Sequence, residues 1–213
     1  MLQFNTINDV QLRFATPVLH KFWPQAEIHN TPLRGLILEK RRLSGSVAIS
    51  NRGGWQSRDD LLNWGGQDVA ALTQWIQACV FQVYETYHQG TFGAYLKTSG
   101  VNLRMRATAW ANINGKGHWN ATHNHHSSHW SGVYYVQVPP GSGQLALLDP
   151  RPNINMMDTG NPMLDLFQQS PREIEPKEGL TVIFPSWMQH HVATHEADEE
   201  RISIAFNLRF ICE

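Results

Sequence analysis

Hydrophobic residues in the first 90 positions recur with the period of an α-helix. The clearest case is GGQDVAALTQWIQACVFQVYETYHQG, residues 65–90, where Gly90 is a stop signal. A second stretch, HNTPLRGLILEKRRL (29–43), has Asn30 as a candidate N-cap and Pro32 in the first turn. We therefore expect this region to be mostly helical. The apolar stripe predicted for the first of these helices consists of Leu72, Trp75, Ile76, Cys79, Val80, Val83 and Tyr87.

After Gly90 the apolar residues alternate with a period of two. Turns that contain Gly or Pro separate short segments rich in β-branched and aromatic residues. Many short strands of this kind indicate a sandwich or barrel, here mainly β with flanking helices. We expect one domain over 1–213, with 1–90 as helical support and 91–213 as the β core. The predicted strands are NLRMRATAWANI, SGVYYVQV, GQLALLD, GLTVIF and RISIAFNLRF.

Composition narrows the classes of function. A formal charge of −1 gives no support for nucleic-acid binding, and no apolar stretch approaches the length of a membrane span. Cys79 and Cys212 are the only cysteines and form no CxxC, which argues against a disulfide scaffold or a thiolate zinc site. The start, MLQFNTINDVQLRF, lacks the pattern of an export signal, so we expect a cytoplasmic protein. The sequence gives no indication of an oligomeric state.

Histidines concentrate in two windows of the β-rich half. Eight of the 11 histidines lie in 118–129 and 190–195. His123 and His125 are two apart, so on a strand both imidazoles would project from one face. A third ligand from a distant strand, His190 or His191, would complete a metal centre that leaves coordination positions open. The alternative is that these histidines simply lie on exposed loops.

The last strand carries a second candidate site. Arg201, Ser203, Ala205 and Asn207 share one face of RISIAFNL, and the opposite face is wholly apolar. An arginine that points into a barrel needs an anionic partner, because an unpaired buried guanidinium is very costly. A small dicarboxylate is suitable, since arginine binds a carboxylate through two parallel bonds and the serine hydroxyl can add a third. The alternative is a surface ion pair with Glu199 or Glu200.

Several motifs, taken in order, resemble one known family. GHWNATHNHHSSHWSGVYYVQVP, GQLALLDPRP, GLTVIFPSWMQHHV and RISIAFNL are similar to the 2-oxoglutarate/Fe(II)-dependent oxygenases related to prolyl 4-hydroxylases. TPV (16–18) and GGWQS (53–57) also fit, so the resemblance covers most of the chain. It implies a double-stranded β-helix (jelly-roll, cupin-like) core that binds Fe(II) and uses 2-oxoglutarate as co-substrate. The implied reaction is hydroxylation of a C–H bond in an unidentified small molecule or peptide, with release of succinate and CO2.

The resemblance also implies roles for individual residues. The iron ligands at the catalytic centre would be His123, His125 and His190, where Val192 two residues after His190 fits the family's H-x-V. Arg201 and Ser203 fit the R-x-S clamp for the far carboxylate of 2-oxoglutarate. Tyr135 and Asn120 are expected in the same co-substrate pocket. We expect His118, His126 and His129 on a loop around the mouth of the barrel, in contact with substrate or solvent and not with metal.

One departure from the family pattern keeps other functions open. Most members of the wider superfamily carry a carboxylate where this chain has His125, and a centre of three histidines also suits zinc. One alternative is a three-histidine cupin dioxygenase that does not need 2-oxoglutarate. Another is a jelly roll that binds a metal and a sugar or protein without catalysis.

Overall fold

The computed structural model describes residues 15–151, 161 and 172–212. In this part of the chain the helices are α1 (Ala26–Leu43), α2 (Gln67–Tyr87) and α3 (Phe92–Thr98), with a short 3-10 helix at Leu61–Asn63. The strands in chain order are β1 (Leu19–Phe22), β2 (Asn51–Arg52), β3 (Trp55–Gln56), β4 (Leu103–Asn114), β5 (Trp119–His123), β6 (Trp130–Gln137), β7 (Leu145–Leu147), β8 (Arg172–Ile174), β9 (Leu180–Pro185), β10 (His190–Val192) and β11 (Arg201–Cys212).

The strands form two antiparallel sheets. The larger sheet has the order β1-β9-β6-β11-β4-β3, and the smaller one has the order β2-β5-β10-β7-β8. Strands β4 and β11 pair along all 12 of their residues without a register shift. Residues of both sheets line one cavity. The arrangement is a jelly roll, which confirms the predicted mainly β fold with flanking helices.

The period-two segments are confirmed as strands, since β4, β6, β7, β9 and β11 coincide with them to within two residues at each end. Residues 15–90 also supply three short strands that the sequence did not suggest. β1, β2 and β3 extend the sheets by pairing with β9, β5 and β4 respectively. They have two to four residues each, too few for a readable alternation.

The predicted start of the first helix is wrong. Helix α1 begins at Ala26, so Asn30 and Pro32 lie inside it. Tertiary contacts account for the difference, because they hold the extra turn in place. The Asn30 side chain accepts a hydrogen bond from the Tyr134 hydroxyl, and His29 stacks on Trp23 with ring centroids 4.6 Å apart. Asn30 thus binds the neighbouring strand instead of capping the helix.

The helices cover the outer face of the larger sheet and leave its inner face to the cavity. The core there joins α1, α2 and β11, and its central members are fully buried. Burial of each such aliphatic side chain contributes roughly 1.5–3 kcal/mol. The predicted stripe of α2 is confirmed apart from Tyr87, which is exposed. The core residues from these elements include Leu33, Ile37, Leu72, Ile76, Val80, Ile202, Ile204, Phe206 and Leu208.

In the described chain no helix combines the length and the apolar character that a membrane crossing would require. The segment 1–14, on which the expectation about an export signal rested, lies outside the described residues.

Candidate metal centre

Three histidines from two strands and one loop converge at the inner face of the smaller sheet. His123 ends β5 and His190 begins β10, and the two are directly paired in the antiparallel ladder. His125 lies beyond the end of β5, where its backbone N–H donates to the Ser186 carbonyl at 3.0 Å. Each imidazole offers a nitrogen within 4.8 Å of the other two. The convergence therefore depends on that loop contact as well as on strand parity.

Backbone carbonyls orient two of the rings. Nδ1 of His123 lies 2.7 Å from the Ala121 carbonyl oxygen, and Nδ1 of His190 lies 2.9 Å from that of Met188. A carbonyl oxygen can only accept, so Nδ1 carries the proton in both rings. The lone pair is then on Nε2, the tautomer required of a metal ligand held through its other nitrogen.

Burial keeps the imidazoles neutral. Desolvation, followed by the neighbouring His123 imidazole, lowers the pKa of His125 to about 4 and that of His190 to about 3. Desolvation also lowers the pKa of His123. A neutral imidazole is the form that binds a metal. The three donors therefore fit a divalent transition metal such as Fe(II), and among the described residues no other group of three His, Cys, Asp or Glu side chains is close enough to share an ion.

The remaining histidines are turned to other contacts. His191 is not part of the cluster, and its buried Nδ1 has no hydrogen-bond partner among the described residues. His118 Nδ1 accepts the Gly115 N–H at 2.9 Å, and His129 Nδ1 accepts the Phe210 N–H at 3.1 Å. Both rings therefore brace the backbone. Three histidines were expected at the barrel mouth. His126 and His129 are exposed and His118 is half-buried, and within the described chain His126 alone of the three lacks such a bond.

The triad opens into a cavity of about 520 Å³ between the two sheets. This volume is in the usual range of a pocket for a small molecule. Strand β11 contributes the inward face of RISIAFNL, as the alternation in that segment predicted. The cavity-lining residues of β11 are Arg201, Ser203, Ala205 and Asn207.

Arg201 is a buried cation at the inner end of this cavity. It is 3% exposed, and it donates from Nη1 to the Gly143 carbonyl at 2.8 Å and from Nη2 to Asn114 Oδ1 at 3.4 Å. Its Nε is buried and has no partner within the described chain. Burial lowers the pKa of Arg201 from its usual value, yet a guanidinium stays charged in a protein. No carboxylate neutralises it in the described structure, so the cavity favours an anion here.

The surface ion pair considered for Arg201 does not form. Glu200 instead faces outward and accepts from Arg41, with Nη1 and Oε1 2.6 Å apart. Glu200 lies just before β11, and its partner Arg41 belongs to α1 and not to the strands around the cavity.

Polar neighbours surround the guanidinium. Ser203 is buried and pairs directly with Tyr135 of β6 and with Asn112 of β4. Desolvation raises the pKa of Tyr135 to about 12, so its hydroxyl remains a hydrogen-bond donor. Asn120 of β5 lines the same cavity, with Nδ2 3.4 Å from Ser50 Oγ. All seven residues predicted for the site thus line one cavity.

Strand β4 adds residues to the cavity that were not predicted from the sequence. Trp110 lies beside the triad, with its ring centroid 5.6 Å from that of His125, and Thr108 and Asn112 flank it on the same face. The usable signal was the alternation in ATAWANI, where small and apolar residues occupy the core-facing positions.

Comparison with known families agrees with this geometry. Residues 108–207 match the family model described as "Putative 2OG-Fe(II) oxygenase". The matched segment lies within the predicted β core. The matched segment contains the triad, Arg201 and the other predicted site residues. This match confirms the predicted enzyme class, a 2-oxoglutarate- and Fe(II)-dependent oxygenase, together with Fe(II) and 2-oxoglutarate.

Solved structures of 2OG-Fe(II) oxygenases share the fold across almost the whole chain. A prolyl-4-hydroxylase from Pseudomonas putida is 17% identical, covers 91% of this chain and 92% of its own, and has a TM-score of 0.56. A prolyl hydroxylase from Trichoplax adhaerens, in complex with a hypoxia inducible factor peptide fragment, is 14% identical over 90% and 83%, with a TM-score of 0.56.

The epimerase SnoN, in complex with Fe3+, alpha ketoglutarate and nogalamycin RO, is 11% identical over 91% of this chain and 79% of its own, with a TM-score of 0.59. At these identities the likeness shows the fold alone. No curated protein sequence matches the chain.

Proposed function

We propose that this oxygenase hydroxylates a C–H bond of a small molecule or peptide inside the cavity between its two sheets. The reaction would convert substrate, O2 and 2-oxoglutarate into hydroxylated substrate, succinate and CO2. The observation that carries the proposal is the presence of three neutral imidazoles and an uncompensated guanidinium in one cavity. The three imidazoles suit a divalent metal, and the guanidinium suits the far carboxylate of a diacid.

His123, His125 and His190 are the proposed metal ligands. The carbonyls of Ala121 and Met188 hold two of the rings with Nε2 toward the common point. Bound Fe(II) would supply the oxygen activation and the oxidative decarboxylation of 2-oxoglutarate. Three protein ligands would leave positions for the co-substrate and O2.

Arg201 is the proposed anchor of the co-substrate. Its guanidinium already donates to Gly143 and reaches Asn114, and these bonds hold it while other N–H groups remain for a carboxylate. Ser203 and Tyr135 would add hydroxyl donors from the adjacent strand pair. Asn120, on the opposite sheet, would contact the co-substrate nearer the metal ligands, because it shares β5 with His123.

The donor set gives one specific reason to keep a second candidate. Because His125 replaces a carboxylate, the centre lacks one negative charge and also suits zinc. A three-histidine metal cupin that does not use 2-oxoglutarate is therefore the alternative. Arg201 argues against it, since that function would leave a buried cation without an anion.

The test is to add Fe(II) and 2-oxoglutarate to the metal-free protein without oxygen. We expect a weak visible charge-transfer band that appears only with both components. Succinate release on admission of O2, stimulated by particular compounds from a panel of small molecules and peptides, would then identify the primary substrate. Tight zinc retention, with no band and no succinate, would instead support the cupin.

A cytoplasmic location is also part of the proposal. Cys79 is buried and Cys212 is exposed, and both are free, as expected for a protein kept in a reducing compartment. A formal charge of −1 argues against a nucleic-acid partner.

A further inference from the structure

The face of β4 and β11 that lines the cavity continues beyond it. On β4 the even-numbered residues Thr108, Trp110 and Asn112 line the cavity, and Ala109 and Ala111 lie in the core. Since the register of the two strands is continuous, Arg106 must lie on the cavity side of β4. The same alternation puts Arg209 of β11 on the cavity side, because Leu208 and Phe210 pack on the core.

Arg106 and Arg209 are direct partners in the ladder. Directly paired residues project from the same side of a sheet, with Cα atoms about 4.5–5.5 Å apart. Two positive charges in this relation destabilise the strand pair. Both side chains are exposed, and within 15–151 and 172–212 neither guanidinium has an ion-pair or hydrogen-bond partner. The fold thus keeps an unfavourable charge pair on the cavity side of the sheet, beyond the residues that line the cavity.

The arginine pair is well placed for a molecule that reaches the triad. Arg106 is four residues from Trp110, which contacts His125, so the pair lies roughly 13 Å along the strand from the level of the metal centre. Arg201 lies on the far side of that centre, about 27 Å along β11 from Arg209. A five-carbon diacid held by Arg201 cannot reach the outer arginines, so the outer pair has to serve a different ligand.

We propose that Arg106 and Arg209 form an anion subsite for the primary substrate. This inference rests on the proposed function, because it assumes that the reacting carbon enters beside the triad. The substrate would carry a carboxylate or a phosphate group. The distance from that group to the carbon that is oxidised would lie between the length of one guanidinium group and about 13 Å. An anion between the two guanidiniums would offset their repulsion and accept hydrogen bonds from both.

The test uses inorganic phosphate as the probe. Its 31P line width is measured with metal-free protein and with protein that carries Mn(II) and saturating 2-oxoglutarate, which occupies the Arg201 end. We expect broadening in both cases, with a paramagnetic contribution from Mn(II) that corresponds to roughly 13 Å rather than to direct coordination. The double variant R106Q/R209Q should lose most of the broadening. The matched control is Arg34→Gln, an exposed arginine of α1, which should leave it unchanged.

Failure of this inference and failure of the proposed function can be told apart. If Mn(II) does not relax the protons of 2-oxoglutarate, the proposed function fails, while the metal-free measurement still tests the arginines. Equal phosphate broadening in the wild type and the double variant overturns the subsite. Acetate is tested in parallel with phosphate. The anion that binds more strongly identifies the group on the substrate as a carboxylate or a phosphate.

A stability measurement provides a second check. Replacement of one arginine removes the repulsion between the two guanidiniums, so Arg106→Gln should raise the melting temperature at low salt. The increase should become smaller at high salt, because salt screens the repulsion in the wild type. A lower melting temperature would mean that the arginines stabilise the fold, and it would overturn the proposal.

Discussion

His123 and His190 face each other as a directly paired couple of β5 and β10, with ring centroids 4.2 Å apart. The ladder holds both imidazoles at one point. His191, the next residue on β10, pairs with Ala146 and lies outside the cluster. Strand parity therefore selects one of two adjacent histidines as the proposed ligand.

Replacement of the paired histidine should be far more damaging to metal binding than replacement of its neighbour. We expect His190→Ala to weaken metal affinity at least tenfold, because one of three donors is lost. His123→Ala and His125→Ala should do the same, and His191→Ala should retain most of the metal. Metal content after dialysis, measured by atomic absorption, decides between them. A metal-free His191→Ala with an intact His190→Ala would move the third ligand by one residue.

Neutralisation of Arg201 should weaken the binding of 2-oxoglutarate and leave metal binding unchanged. A hydrogen bond to a charged group contributes roughly 1.5–3 kcal/mol, so Arg201→Gln should raise KM for 2-oxoglutarate about ten- to a hundred-fold, with metal content unchanged. Arg201→Lys should be intermediate, because an ammonium cannot form the two parallel bonds. Arg41→Gln is the matched control, since it removes an arginine that pairs with Glu200, the neighbour of Arg201. An unchanged KM for 2-oxoglutarate in Arg201→Gln would show that Arg201 does not anchor the co-substrate.

The parts of this site that could be predicted are those governed by strand alternation. The two faces of β11 are readable because the alternation continues over all eight residues of RISIAFNL, and the position of Arg201 follows from it. The pairing of β11 with β4 keeps this alternation without a register shift. Strand alternation explains only part of why His125 lies near His123. Strand β5 ends at His123, and a backbone contact with Ser186 positions His125. That contact joins residues 61 positions apart, and no local pattern reports it.

The start of α1 was missed for a related reason. Asn30 and Pro32 form a good local helix-start signal, but Tyr134 and Trp23 hold the extra turn from outside the segment. Tertiary contacts outweighed the local preference there.

Two adjacent tyrosines of β6 should separate a binding effect from a stability effect. Tyr135 lines the cavity, and Tyr134 faces the core, where its hydroxyl donates to Asn30. We expect Tyr135→Phe to raise KM for 2-oxoglutarate about two- to tenfold, the equivalent of one neutral hydrogen bond of roughly 0.5–1.5 kcal/mol. Tyr134→Phe should leave KM unchanged and lower the free energy of unfolding by about 1 kcal/mol. Denaturant titration and initial rates measure the two quantities. The opposite pattern would place the wrong tyrosine in the site.

The all-imidazole donor set should be convertible. His125→Asp would restore two histidines and one carboxylate, add a negative charge, and give a harder oxygen ligand in place of a nitrogen. Two histidines and one carboxylate with open positions are the donor set typical of non-haem Fe(II), whereas three histidines also suit zinc. We therefore expect the ratio of Fe(II) to Zn(II) affinity to rise. His125→Asn is the control, since it supplies an oxygen of similar size without the charge. Competition titrations with both metals measure the ratio, and an unchanged ratio in His125→Asp would show that His125 does not contact the metal.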